Sequence, residues 1–179
     1  MEKPSANLRR RRLLLFPQNI LKKKSSPSAQ VSLDSLAGHY IRRLQQIAVA
    51  IFLQENEQYG LTPVQYAALQ AVRNTPEFDQ RTLARTIGFD TSTIAGVIDR
   101  LEARGLVRRK SSPKDGRVRL LEATASGIQL LDAALPGVLR TQDRILAPLS
   151  PSERAEFLRM LQRLVVANNE LSRAPSQGS

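Results

Sequence analysis

Apolar residues recur at steps of three and four along most of the chain, with one alternating, basic stretch near its middle. Leu33, Leu36, Tyr40, Ile41, Leu44, Ile47, Ala48, Ile51 and Phe52 predict a long first helix. Ser32 or Asp34 caps it, it reaches about Gln58, and Gly60 stops it. Thr62-Pro63-Val64-Gln65 is a helix start of the capping-box type, with Pro at the first helical position. The second helix runs to about Arg73, with Tyr66, Leu69 and Val72 inward, and Asn74 to Phe78 is a loop. Asp79 caps a short third helix that turns Leu83, Ala84 and Ile87 to the core, and Gly88 suits a left-handed end. Asp90 caps a fourth helix with Ile94, Val97, Ile98 and Leu101 buried.

Periodicity then changes. After Gly105, Leu106 to Lys110 reads as a strand, Ser111 to Gly116 as a turn built on Pro113 and Asp115-Gly116, and Arg117 to Leu121 as the return strand. Thr124 caps a long helix to about Ala147 with Ile128, Leu131, Leu135, Val138, Leu139 and Ile145 apolar, and Pro136 inside it predicts a kink. Ser150-Pro151-Ser152-Glu153 opens a last helix to about Leu171, lined by Phe157, Leu158, Leu161, Leu164 and Val165. The fold class is therefore mainly α with a small β-wing: a winged helix-turn-helix between long terminal helices. The winged core covers about 61–122, within a domain of residues 31–171. The long helices cover about 32–58, 124–147 and 151–171.

Charge adds a partner. The net charge is +11 and the pI near 11, which suits an acidic polymer. In residues 1–30 eight lysines and arginines stand against one glutamate, so that segment alone carries +7. It reads as a disordered basic arm adding non-specific phosphate attraction, or as a merely solvated extension. Residues 172–179 read as a flexible tail. The chain has no cysteine and one histidine, which leaves no thiolate or multi-histidine metal site, and no cofactor is expected. No apolar run approaches the ~18 residues of a membrane span and no secretory signal is evident, so the expected location is cytoplasmic, on DNA.

The fourth helix presents Thr91, Ser92, Thr93, Ala95, Gly96, Asp99 and Arg100 on its polar face. Small residues let a backbone approach a groove, hydroxyls meet phosphates or base edges, and Arg forks onto guanine. The hairpin adds Arg108, Arg109, Lys110, Lys114, Arg117 and Arg119 against Asp115 alone within 108–119. Exposed hairpins also carry charge for solubility, but six cations beside a helix-turn-helix favour a DNA contact.

The order of elements resembles the MarR family of regulators. The resemblance is carried by Leu61-Thr-Pro-Val-Gln-Tyr-Ala-Ala-Leu69, Leu83-Ala84 with Ile87-Gly88, and Thr93 to Arg108. Pro113-Lys-Asp-Gly-Arg117 and Thr124-Ala-Ser-Gly127 complete it, over about residues 33–170. It implies a homodimeric transcription regulator, usually a repressor, on a pseudo-palindromic double-stranded operator. The groove helix would be Thr91 to Arg104, and Arg117 would enter the minor groove with Asp115 holding it. Two positions depart from the family pattern: Gly116 stands where the wing usually has Arg, and Ala123 where it has Leu. The first, fifth and sixth helices would interlace with a second copy, and broad apolar faces on terminal helices ask for one independently.

Ser35, His39 and Arg42 or Arg43 repeat at helical spacing on the first helix and form the candidate effector site. A hydroxyl, an imidazole and a guanidinium suit an anionic or phenolic oxygen. A Gly-His…Arg-Arg start to this helix is similar to the branch of the family that answers small aromatic acids. Tyr66 could line the same pocket or be core, and His39 could equally be an interface residue with the arginines solvated. An enzyme lacks its parts: there is no phosphate loop and no nucleophile or carboxylate pair in a matched motif. The other alternative is an architectural, low-specificity DNA binder without an effector, relying on the arm and the wing.

Overall fold

The structure is a computed structural model that describes residues 31–113 and 115–171. The basic arm of 1–30, the tail of 172–179 and Lys114 lie outside the described residues.

The first helix starts later than its apolar spacing predicts. Ser32 does cap a turn, but it is a 3₁₀ turn, Leu33–Ser35, and Leu36 is extended (φ −104°, ψ 114°). Helix α1 then runs Ala37–Glu55. It ends before Gln58 because a second 3₁₀ turn, Glu57–Tyr59, leads into Gly60 at φ 57°. Thr62 and Gln65 close their capping box and start α2, Pro63–Asn74. Asp79 accepts from the Thr82 amide at 2.8 Å and opens α3, Gln80–Thr86. Asp90 does the same for α4, Thr91–Ala103. Gly88 and Gly105 take the left-handed conformation at the two ends, φ 70° and 69°.

The wing is shifted and enlarged relative to expectation. Strands β2 (Val107–Ser111) and β3 (Arg119–Ala123) pair antiparallel from Val107↔Ala123 to Ser111↔Arg119. Arg117 and Val118 thus belong to the turn. A two-residue strand, β1 (Phe78–Asp79), pairs with the other edge of β3, where a loop was expected. Phe78 lies opposite Leu121, so an isolated Phe before a cap is drawn to the sheet by its ring.

Helix α5, Ala125–Leu146, continues through Pro136, and Ser150 with Glu153 caps α6, Pro151–Asn168, followed by a 3₁₀ turn to Leu171. Two glycines seat α5. A Cβ on Gly127 would lie 2.2 Å from the Leu106 carbonyl oxygen, and one on Gly137 would lie 2.6 Å from both Asn56 Oδ1 and the Glu55 carbonyl. Glu55 also accepts from Arg140 and Arg144, both at 2.7 Å, which ties the end of α1 to α5.

The core joins α2, α3, α4 and the sheet: Leu69, Val72, Leu83, Ile94, Ile98, Leu101 and Leu121 are all essentially inaccessible. Burying such a side chain stabilises by about 1.5–3 kcal/mol. Helix α5 adds Leu131 and Ala134 to it, whereas α1 and α6 contribute little. Phe52 alone is buried on α1, and α6 buries no side chain. Leu36, Tyr40, Ile41, Ile47, Leu135, Leu139, Leu158, Leu164 and Val165 are exposed. Among the described residues no helix is long and apolar enough to cross a membrane.

Candidate nucleic-acid interface

Asp90 organises the front of α4. Its carboxylate accepts from Ser92 Oγ at 2.5 Å, Thr93 Oγ1 at 2.6 Å and the Thr93 amide at 2.8 Å. Those donors, the two hydroxyls above all, hold it far below the usual carboxylate range. Gln80 Nε2 donates to the Thr91 carbonyl at 3.3 Å, so α3 and α4 are tied where both start. Thr91, Ser92 and Thr93 are exposed, Ala95 and Gly96 half-buried, and Asp99 and Arg100 exposed on the same helix. Arg100 makes no ion pair among the described residues, and its Nη2 would lie 3.6 Å from a Cβ at Gly96.

That spacing is ordinary contact, so the protein itself does not require glycine at 96. Gly96→Ala is expected to raise stability by about 0.5–1 kcal/mol, the usual gain from replacing a mid-helix glycine. It should also weaken DNA binding, because the methyl stands on the groove face. Thermal melts and a DNA titration of the same variant check both signs.

Of the five hairpin cations among the described residues, three have carboxylate partners. Arg108 and Lys110 sit on one face of β2, and Glu122 accepts from both: from Arg108 at 2.8 and 2.9 Å, and from Lys110. Those two donors pull Glu122 down to about 2. Arg109 points to the other face and pairs with Asp99 and Glu102 of α4. The balance of six cations against Asp115 thus holds only within residues 108–119. The neutralising carboxylates lie just outside the 108–119 window, seven to fourteen residues away along the chain. Arg119 donates to Ser111 Oγ at 2.5 Å, and Lys114 lies outside the described residues.

At the tip, Asp115 accepts from the Arg117 backbone amide at 2.9 Å. Its carbonyl accepts from the Val118 amide, also at 2.9 Å. Asp115 thus shapes the turn and makes no contact with the Arg117 guanidinium, which stays exposed and unpaired among the described residues. Three further arginines stand out. Arg81 and Arg85 lie exposed one turn apart on α3, without ion pairs among the described residues. Their spacing opposite Leu83, Ala84 and Ile87 was the available signal. Arg104, at the end of the expected groove helix, instead donates to the Gly60 and Tyr59 carbonyls at 2.7 and 2.9 Å and braces the α1–α2 link.

The expected effector residues are not gathered in a single chain. Ser35 Oγ donates to the Ser32 carbonyl, His39 stacks edge-on with Tyr40, and Arg42 donates to Gln46. Arg43 is exposed. Tyr66 packs edge-on against Phe52, thirteen residues along α1 from His39, which is about 20 Å of helix. Burial pushes the Tyr66 hydroxyl pKa up. Tyr66 lines a groove of about 370 Å³ with Gln70, Asn74, Thr75 and Phe78. A separate cavity of about 340 Å³, between Val72, Pro76, Lys110, Leu121 and Ile128, touches none of the five.

A short helix braced against a second one that carries an exposed small and hydroxylated face, followed by a basic wing, defines a winged helix-turn-helix DNA-binding protein. Residues 59–118 match the family model described as MarR family. The repressor NicR of Pseudomonas putida is 32% identical over 152 residues, covering 81% of this chain and 96% of that one. Two solved structures are similar over about three quarters of this chain. The repressor CouR bound to a 23-mer DNA duplex is 30% identical, with a TM-score of 0.71 over 76% of this chain and 99% of that one. BpsR of Bordetella bronchiseptica, whose DNA binding is regulated by 6-hydroxynicotinic acid, is 29% identical, with a TM-score of 0.72 over 75% and 96%. The chain belongs to the MarR family of transcriptional regulators, which are DNA-binding proteins and not enzymes.

Proposed function

We propose that this chain is a homodimeric repressor, released from a pseudo-palindromic operator by a small aromatic carboxylate. The observation that carries the reading is the division of the surface. The α4 face and the wing tip are polar and in part unpaired among the described residues. The long helices α1, α5 and α6 instead leave Ile41, Ile47, Leu135, Leu139, Leu158, Leu164 and Val165 exposed. An apolar area of that kind asks for a partner, and a second copy supplies the same helices by two-fold symmetry. The two groove helices then lie about one DNA turn apart.

The effector belongs at the start of α1, where Ser35 of the preceding 3₁₀ turn and His39, Arg42 and Arg43 of the helix offer a hydroxyl, an imidazole and guanidinium groups to a ring carboxylate. Tyr66 faces a different groove in the single chain, so it serves this site only if the second copy brings the two edges together. BpsR supports the ligand class through its response to 6-hydroxynicotinic acid. The ligand and the operator favour different spacings of the groove helices, so each lowers affinity for the other, by about 1–3 kcal/mol in typical cases.

His39→Ala tests the site. The variant should keep its dimer and its DNA affinity, and release by 6-hydroxynicotinate or a hydroxybenzoate should need roughly tenfold more ligand, the loss of one charge-assisted bond. A dimer lost in sedimentation would assign His39 to the interface instead. The regulator reading itself requires that the DNA upstream of the chain's own gene be bound roughly a thousandfold more tightly than random duplex. Equal affinity for both would leave only an architectural binder.

A further inference from the structure

Arg109 differs from the other cations of the wing. Its Nη2 donates to Asp99 Oδ1 at 2.6 Å and its Nη1 donates to the Glu102 carboxylate. Its backbone amide also donates to Glu102 Oε1 at 3.2 Å. Its side chain is 25% exposed, against 57% for Arg108 and 52% for Lys110. Asp99 and Glu102 are one turn apart on α4 and flank Arg100, the unpaired cation of the groove face. Withdrawing Arg109 to reach a phosphate would leave two carboxylates unpaired beside a polyanion.

We infer that Arg109 is a positioning residue: it locks β2 onto the groove helix by pairing with two of that helix's carboxylates, without touching a phosphate. Asp99 is its partner and not a base reader. The inference rests on α4 and the wing being the DNA-reading unit. The planar fork of Arg suits the role because one guanidinium reaches two carboxylates at fixed angles, which an ammonium does not reproduce. The lock also makes the wing tip and α4 a single body, so that Arg117 keeps its distance from Arg100 when the wing meets DNA.

The test measures binding of the full chain to two duplexes of equal length over a range of salt: the DNA immediately upstream of its own gene, and a random sequence. A direct phosphate contact contributes about 0.9 to the log–log salt slope, hence about 1.8 for two copies. For Arg109→Gln the expected result is about a thirtyfold loss on upstream DNA, a smaller loss on random DNA, and an unchanged slope on both. Arg109→Lys, which keeps the charge but not the fork, should lose affinity in the same way. A slope reduced by about 1.8 in the glutamine variant, or near-wild-type binding by the lysine variant, overturns the inference. If the glutamine variant does not fold by circular dichroism, the lysine variant decides alone. Absence of any preference in the wild-type protein would instead sink the regulator reading, and the slope on random DNA would still decide whether Arg109 is a contact.

Discussion

Gly127→Ala should cost about 3 kcal/mol of stability, the upper end of what overpacking costs, and lower the melting temperature by roughly 10 °C. The added methyl would stand 2.2 Å from the Leu106 carbonyl oxygen and 3.2 Å from Leu69 Cδ1. The first of these is backbone, at the point where β2 leaves α4, and it cannot rotate away. Leu106 is also held there by the Thr124 amide, which donates to the same carbonyl at 3.0 Å. The Gly127 amide in turn donates to Thr124 Oγ1 at 3.1 Å, so relief by shifting α5 breaks the cap that starts the helix. Thermal or chemical denaturation of the variant checks the prediction. A change below about 1 kcal/mol would mean that the α5–wing junction is softer than its hydrogen bonds indicate. The wing and α5 share one joint, and glycine is what allows it to close.

If the protein binds as the proposed dimer, Arg117→Ala should reduce affinity for upstream DNA about a hundredfold and make the log–log salt slope less steep by about 1.8, while dimerisation and melting stay unchanged. The tip is the right place for so large a loss. The Arg117 guanidinium is exposed and free of carboxylates among the described residues, whereas Arg108, Arg109 and Lys110 are already committed to Glu122, Asp99 and Glu102. The backbone beneath it is fixed by Asp115 and the Val118 amide, so the side chain is lost without disturbing the turn. Binding that survives the substitution at all salt concentrations would remove the wing tip from the interface and leave α4, with Arg81 and Arg85 beside it, as the whole contact. This behaviour is the opposite of that expected of Arg109, and the pair of variants separates a cation that meets DNA from one that holds the reader in shape.

Much of this molecule is legible along the chain because its signals are local. Thr62, Asp79, Asp90, Thr124 and Ser150 all cap the helices they precede, and each needs only an amide three residues on. Gly88 and Gly105 mark helix ends because only a left-handed residue turns the chain there. The aliphatic stripe of α4 identifies its hidden face, and by subtraction the polar face it exposes. Leu36 shows the limit of such patterns: it fits the helical spacing of its neighbours, yet its backbone is extended and α1 begins after it.

What only the tertiary structure decided are the facts that depend on register and on distant pairing. Which hairpin cations remain free follows from β2–β3 alignment, which sets Glu122 opposite Arg108, and from the angle at which α4 meets β2. Phe78 becomes a strand only because Leu121 is there to receive it. The same holds for Gly127 and Gly137, whose small size is explained by carbonyls and an amide far away in sequence. Caps and stripes are short-range and written in neighbouring residues. Ion pairs, joints and the sharing of charge between helix and wing depend on how separate elements meet, and spacing along the sequence does not say which cation reaches which carboxylate.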